Sequence, residues 1–296
     1  MATLRPLSLV ALLLLGCSDD AAPGDPSGLT TGNAGQAGAS QAGSGGSAGV
    51  AGGSSSAGQA GAPGGQGGAD NSAWSCAGSV SRPKASGSTV TIKLPLRDII
   101  TGQPRAGVTV RSCQALDVTC ATPIGSDAVT DSAGEATLTL LSAAAFGTTF
   151  QLVASADVAA ALVFPHPTSL ADGTTLPAVR TISAAALKAS IEASGLVNDT
   201  SRGTIIVEAR DCLGASAPGV TWALPAKAPN TVTWYLRDGA PSKTATDTDA
   251  SGLGGFLLVP PGAQTVSPSH SGQALPERKV YAVADVVTYV FVSPTP

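Results

Sequence analysis

The chain has 296 residues, 16 of them basic and 20 acidic, a net charge of −4, and only 4% aromatic residues. A mildly acidic chain without a basic block excludes nucleic-acid binding through phosphate neutralisation. It also lacks the polybasic patch that anionic lipid surfaces attract.

The chain opens MATLRPLSLVALLLLGC, with Arg5 ahead of an apolar run from Leu7 to Leu15. A membrane-spanning helix needs about 20 apolar residues, whereas a signal-peptide core needs about 7–15, so the run reads as an export signal. Leu14-Leu15-Gly16-Cys17 resembles the lipobox of bacterial lipoproteins. The resemblance implies that residues 1–16 are a lipoprotein signal peptide, that cleavage precedes Cys17, and that lipid on Cys17 anchors the chain to a membrane. Two or more acyl chains give the stable anchoring that one does not. Ser18, next to the cysteine, fits transport to an outer membrane, with the periplasmic and surface faces both open. An ordinary signal peptide with a chance cysteine is the alternative. Processing would remove only Arg5 among the charged residues.

Residues 17–72 comprise the lipidated cysteine and a linker built almost entirely from Gly, Ala, Ser, Gln and Pro, with no Lys, Arg or aromatic residue. Such a segment buries too little apolar surface to offset its ordering entropy, and is expected to be a disordered tether. About 55 residues at roughly 5–6 Å × √n give a mean reach on the order of 40 Å. Runs such as Gly43-Ser44-Gly45-Gly46 have no strand before them and no helix after them, so they do not read as phosphate loops. No cofactor is expected.

Composition changes at Trp74-Ser75-Cys76. Beyond it, Val90–Leu94, Gly107–Arg111, Ala136–Leu140, Thr149–Val153, Thr204–Glu208, Val232–Leu236, Gly255–Val259 and Val286–Val292 read as strands. They are rich in β-branched and aromatic residues and are separated by Gly, Pro, Asp and Ser. Ser183–Gly195 carries good helix formers between a Ser N-cap and a Gly stop. Leu187 and Ile191 should pack this helix onto a sandwich.

The body also repeats. Arg97-Asp98, Thr101-Gly102 and Gly107-Val108-Thr109 recur as Arg210-Asp211, Leu213-Gly214 and Gly219-Val220-Thr221, about 113 residues later. Thr130-Asp131-Ser-Ala-Gly134 then matches Thr246-Asp247-Thr-Asp-Ala-Ser-Gly252, each ahead of an apolar strand. At these positions the chain resembles the carboxypeptidase regulatory-like domain. The resemblance implies a transthyretin-like β-sandwich with a supporting or binding role and no catalysis of its own. In the second copy Ala217-Pro218 departs from the usual proline position and the hairpin carries an insertion. The fold expected is all-β: two transthyretin-like or Ig-like β-sandwich domains, residues 73–182 and 200–296, joined by a connecting helix and linker, 183–199.

With Cys17 assigned to lipid, Cys76, Cys113, Cys120 and Cys212 remain, an even set in an exported chain. Three connectivities exist, and a strand–excursion–return between them favours Cys113–Cys120, with Cys76–Cys212 as the second bridge. A four-cysteine zinc site would show paired C-x2-C spacings, and none occurs.

Candidate chemistry is sparse. His166 and His270 are the only histidines, and no Gly-x-Ser-x-Gly elbow accompanies either. Ser267, Ser269 and Ser271 flank His270 in what reads as a proline-rich loop. Asp247-Thr-Asp249-Ala-Ser251 imitates the opening of a calcium loop, but the twelfth position, where a bidentate Glu belongs, is Leu258. A hairpin turn is the preferred reading and no metal is expected. Asp98 and Asp211 should stabilise turns. Trp222, Trp234 and Tyr235 are the candidate stacking surface for a sugar, with core filling as the alternative. The function expected is a non-enzymatic, lipid-anchored envelope protein that binds an envelope polysaccharide or protein. A purely structural spacer, or a protein with an unrecognised hydrolase site, are the alternatives.

Overall fold

The computed structural model describes residues 71–77, 87–115, 117–141, 148–165 and 170–294. The signal peptide, Cys17 and the tether up to residue 70 lie outside the described residues, as does His166. The part described begins with a 3-10 turn, Asn71–Trp74. The first repeat copy follows with β1 (Thr89–Asp98), β2 (Thr109–Gln114), β3 (Ala128–Val129), β4 (Glu135–Leu141), β5 (Thr148–Leu152), β6 (Ala161–Phe164), β7 (Thr174–Thr175) and β8 (Val179–Thr181). Helix α1 (Ala184–Ala193) leads to the second copy: β9 (Gly203–Ala209), β10 (Val220–Ala223), β11 (Val232–Arg237), β12 (Ala240–Ser242), β13 (Leu253–Val259), β14 (Gly262–His270), β15 (Gln273–Ala274), β16 (Arg278–Ala282) and β17 (Val287–Val292).

The eight strands expected from the sequence correspond to β1, β2, β4, β5, β9, β11, β13 and β17, and α1 lies within its predicted span. The Ser183 hydroxyl caps α1 by accepting from the Ala186 N–H at 3.1 Å. Ile191 is buried and Leu187 packs beside it, as the i, i+4 spacing implies.

The strands form three sheets. One outer sheet has β1 between β4 on one edge and β7 and β8 on the other. A second has β14 between β10 and β16, with β15 pairing the end of β14. The largest runs β12-β11-β13-β9-β17-β6-β5-β2-β3 and draws strands from both copies. Its seam is β17, which pairs parallel to β9 from Val287↔Thr204 to Val292↔Ala209 and parallel to β6 from Val287↔Ala161 to Val290↔Phe164. The shared sheet runs across the boundaries drawn at 182/183 and 199/200, and the described residues fall in one compact unit.

Alternation along the shared strands explains how one sheet serves two cores. In β9, Ile206 belongs to one core while Ile205, Val207 and Ala209 belong to the other. In β17, Val287, Tyr289 and Phe291 face the first core, and Val290 and Val292 the second. The β1 sheet and α1 cover one face of the shared sheet, and the β14 sheet covers the other. This is sheet-on-sheet sandwich packing, three layers deep.

The repeat is also present bond for bond. Leu96 N–H donates to Gly134 O and Arg105 N–H to Leu96 O; Ala209 N–H donates to Gly252 O and Ala217 N–H to Ala209 O. The buried Thr130 hydroxyl accepts from Val108 N–H at 2.9 Å and donates to Arg105 O at 2.7 Å. The Thr248 hydroxyl makes the same pair, from Val220 N–H at 2.9 Å and to Ala217 O at 2.7 Å. Thr248-Asp249, not Thr246-Asp247, are thus the partners of Thr130-Asp131, because the insertion in the second copy precedes the turn. Gly134 and Gly252 hold φ of +73° and +68°, and a Cβ on either would meet a backbone oxygen at 2.7 Å or 2.5 Å. Glycine is required at both positions.

Candidate interaction surface

The cysteines pair as Cys76–Cys212, Cα atoms 5.7 Å apart, and Cys113–Cys120, Cα atoms 5.1 Å apart. The first bond joins the segment just after the tether to the second copy. There Cys212 N–H donates to Ala73 O at 2.8 Å, and the Trp74 ring stacks on His270 at 3.9 Å between centroids. The second closes a short loop beside β2.

The expected aromatic platform does not form. Trp222, Trp234 and Tyr235 are 6%, 4% and 4% exposed. Adjacent residues of a strand point to opposite faces, so Trp234 enters the first core and Tyr235 the second. Tyr235 stacks on Trp222 at 4.7 Å, and its hydroxyl accepts the backbone N–H of Trp222 at 3.1 Å. Core filling is what these residues do.

The calcium-like run is likewise a turn. The Arg237 guanidinium holds the Asp247 carboxylate, and Asp249 Oδ1 accepts from Ser251 N–H at 2.9 Å and from the Ser251 hydroxyl. Asp98 Oδ1 accepts from Ile100 N–H at 3.1 Å, Thr101 N–H at 2.6 Å and the Thr101 hydroxyl at 2.9 Å, and Oδ2 receives Arg105. Burial works to raise the Asp98 pKa, but the bonds from Thr101 and Arg105 outweigh it and hold the carboxyl below its ordinary range. Asp211 Oδ1 accepts from the Leu213 and Ala215 N–H groups, both at 2.9 Å. These are Asx turns at equivalent repeat positions.

His270 ends β14 and does not sit in a loop: Thr221 pairs with Ser269 and Val220 with His270. Burial lowers its pKa. Ser267 bonds Glu277 at 2.9 Å and Ser269 bonds Thr221 at 2.7 Å, so neither serine is turned to the imidazole as a nucleophile.

One charged group passed unnoticed in the sequence. Glu208, 1% exposed, receives the Tyr289 hydroxyl and the Arg210 guanidinium, and Arg210 lies 5.6 Å over the Phe291 ring. Burial raises the Glu208 pKa against the opposing pull of Arg210 and of Tyr289. Burial beside Glu208 also raises the Tyr289 hydroxyl well above its usual value, so it remains a donor. The signal available was a lone acid in the apolar run Thr204–Glu208. The cluster joins β9 to β17 inside the body.

Two concavities flank α1. An apolar cleft of about 150 Å³ lies between Leu187 of the helix, Ile99 and Ile100 of the first copy, and Ile206, Trp234 and Leu257 of the shared sheet. An open groove of about 700 Å³ lies at the other end of the helix, between residues 195–202 and the 229–232 segment, with Leu258 beneath. Its polar lining is Asn198, Asp199, Thr200, Arg202 and Asn230. The Asp199 carboxylate is 3.7 Å from Arg202 and accepts the Ser201 N–H at 2.9 Å. Leu258 has φ +56° at a register shift in β13, and the buried Thr231 hydroxyl bonds its carbonyl at 3.0 Å. A bulge re-aims a side chain in this way.

No protein-family model matches the chain, and no curated protein does. Among solved structures, the TIE protein of Bacillus anthracis aligns over 69% of this chain at 12% identity and a TM-score of 0.24; the chain covers 34% of its length. The minor pilin GBS52 of Streptococcus agalactiae aligns over 70% of this chain and 95% of its own at 16% identity, TM-score 0.22. The shaft pilin SpaA of Lactobacillus rhamnosus GG aligns over 71% and 99% at 12% identity, TM-score 0.23. At such identities and scores, the roles of those proteins stay with those proteins.

Proposed function

We propose that the chain is an exported, non-enzymatic interaction module, anchored by lipid on Cys17 to the bacterial cell envelope and presenting its sandwich body to an envelope polysaccharide or protein. The observation that carries this reading is the Cys76–Cys212 bond. Disulfides persist where the compartment is oxidising, and this one fastens the body at the point where the Gly/Ala/Ser tether ends. The carboxyl groups that could do acid–base work are instead engaged: Asp98, Asp211 and Asp249 bond their own turns, and Glu208 bonds within the core. The carboxypeptidase regulatory-like resemblance, with its supporting or binding role, agrees with this reading.

Two measurements test it. Mass spectrometry of the membrane fraction should find an acylated Cys17 peptide, and Cys17→Ser should leave the chain unprocessed and without that modification. An unmodified Cys17 in the exported protein sinks the lipid anchor. Immobilised full-length oxidised chain should retain one envelope component saturably. Retention of none favours a structural spacer, a role suited to a body whose central sheet is buried on both faces.

A further inference from the structure

We infer that the groove between residues 195–202 and 229–232 is the ligand site of this module, and that it takes a neutral, polyhydroxylated chain, an uncharged oligosaccharide. The inference rests on the interaction-module reading and assigns it a place and a ligand chemistry.

Four observations carry it. At about 700 Å³, the groove is within the roughly 300–1,000 Å³ typical of ligand sites. The side-chain amides of Asn198 and Asn230, on facing walls, make no hydrogen bond among the described residues, so both keep two donors and an acceptor for a ligand. The two charges in the lining, Asp199 and Arg202, face each other at 3.7 Å, and Asp199 is further held by Ser201, whose hydrogen bonds lower its pKa. The groove therefore offers hydrogen bonds without a net charge, which suits hydroxyl groups and gives no counter-charge to a phosphate, uronate or ammonium. Finally, Val197 is 84% exposed at the rim and Leu258 lies at the base, apolar surface for the C–H face of a sugar ring.

The walls are also set before a ligand arrives. Asp199 makes an Asx turn on Ser201, Thr231 N–H donates to Ala228 O at 3.0 Å, and the Thr231 hydroxyl fixes the Leu258 bulge. A site whose walls are already ordered loses less entropy on binding. The apolar cleft on the other side of α1 has no comparable polar set.

The test is calorimetric titration of the full oxidised chain with cellohexaose, maltohexaose and chitohexaose as neutral probes and polygalacturonate as an anionic one. Saturable binding of a neutral hexasaccharide is expected, with no binding of polygalacturonate. The double variant Asn198→Ala/Asn230→Ala should weaken it by on the order of tenfold or more, at an unchanged unfolding temperature, since Asn230 is exposed and Asn198 only half-buried. Binding that the double variant leaves intact overturns the groove and spares the module reading. Preference for polygalacturonate overturns the neutral-ligand assignment. If no sugar binds while the immobilised chain retains an envelope protein, the oligosaccharide inference falls and the module stands. If nothing binds in either experiment, both fall.

Discussion

In the first repeat copy the turn after β1 is held by charge: Asp98 is buried and takes the Arg105 guanidinium along with its own turn's N–H groups. In the second copy the equivalent turn after β9 is half-exposed, Asp211 bonds only backbone N–H groups, and the next residue, Cys212, is tied covalently to Cys76. The hydrogen-bond frame around both turns is the same down to the Thr130 and Thr248 hydroxyls. A duplicated frame thus tolerates two means of fastening. The second copy, where the tether joins the body, carries the covalent one.

The largest break in this comparison is to cut the bonds selectively. Cys76→Ser/Cys212→Ser opens a cross-link spanning 136 residues, and loop-closure entropy puts its loss at about 5 kcal/mol. Cys113→Ser/Cys120→Ser opens one spanning 7 residues and should lose about 2 kcal/mol by the same relation, read by denaturant unfolding. A mechanical version sharpens it. Pulled from the tether and from the C-terminus, the body of the oxidised chain should unfold only beyond Cys212, because the bond shunts tension past the first copy. Reduction should add about 450 Å of extension, from 136 residues at about 3.3 Å each. Full extension without reduction would show that the bond does not form.

Next in size is Glu208, which links β9 and β17 rather than fastening either turn. Glu208→Ala leaves Arg210 without its carboxylate and should cost about 3–5 kcal/mol. Glu208→Gln isolates the ionisation. A carboxyl whose folded pKa is raised contributes stability that is full below its unfolded pKa and is lost as pH rises through the folded value. Relative to Glu208→Gln, the native chain should therefore gain stability as pH falls from neutral toward about 4.5. A constant difference across that window would show the carboxyl is not titrating there.

The strands, the helix and the disulfide pairing were legible because each is written locally: β-branched runs between turn residues, a Ser cap with a Gly stop, cysteines around a short excursion. The shared sheet was not, since the β17–β6 pairing joins residues whose contact no local pattern encodes. A hint existed in Val286–Val292, a run apolar but for Thr288 that reads as a strand buried on both faces. The period-two rule, had it been applied to Trp234 and Tyr235, would have set them on opposite faces, against the common platform expected. His270 was misplaced because a strand that carries a proline looks like a loop. Pro268 sits in β14 opposite Trp222. The groove depends on α1, its following turn and a bulge meeting in space, and its two asparagines carry no motif.

The matched threonines test whether the frame itself is equivalent. Thr130→Val and Thr248→Val each strand a backbone N–H and a carbonyl in a buried site, a loss of roughly 1–3 kcal/mol. The two losses should agree within about 0.5 kcal/mol, and because the sites share no partner the double variant should be additive. Unequal losses would mean that one copy relaxes around the lesion and that the frame is shared in geometry alone.

The smallest expected effect separates charge from shape at the two turns. Asparagine keeps the oxygen that accepts the turn's N–H groups but gives up the charge. Asp211→Asn should therefore change stability by less than about 0.5 kcal/mol, since its carboxylate accepts from the Leu213 and Ala215 backbone N–H groups through one oxygen. Asp98→Asn also loses the pairing with Arg105, which is 27% exposed and screened, for about 1 kcal/mol near neutral pH. That difference should vanish in acid. A carboxyl held low in the folded state contributes stability above its unfolded pKa and loses it as pH falls through the folded value, so native and Asp98→Asn chains should converge below about pH 3.8. Persistence of the gap in acid would place the role of Asp98 in the shape of its turn, and the two copies would then be fastened alike except for Cys212.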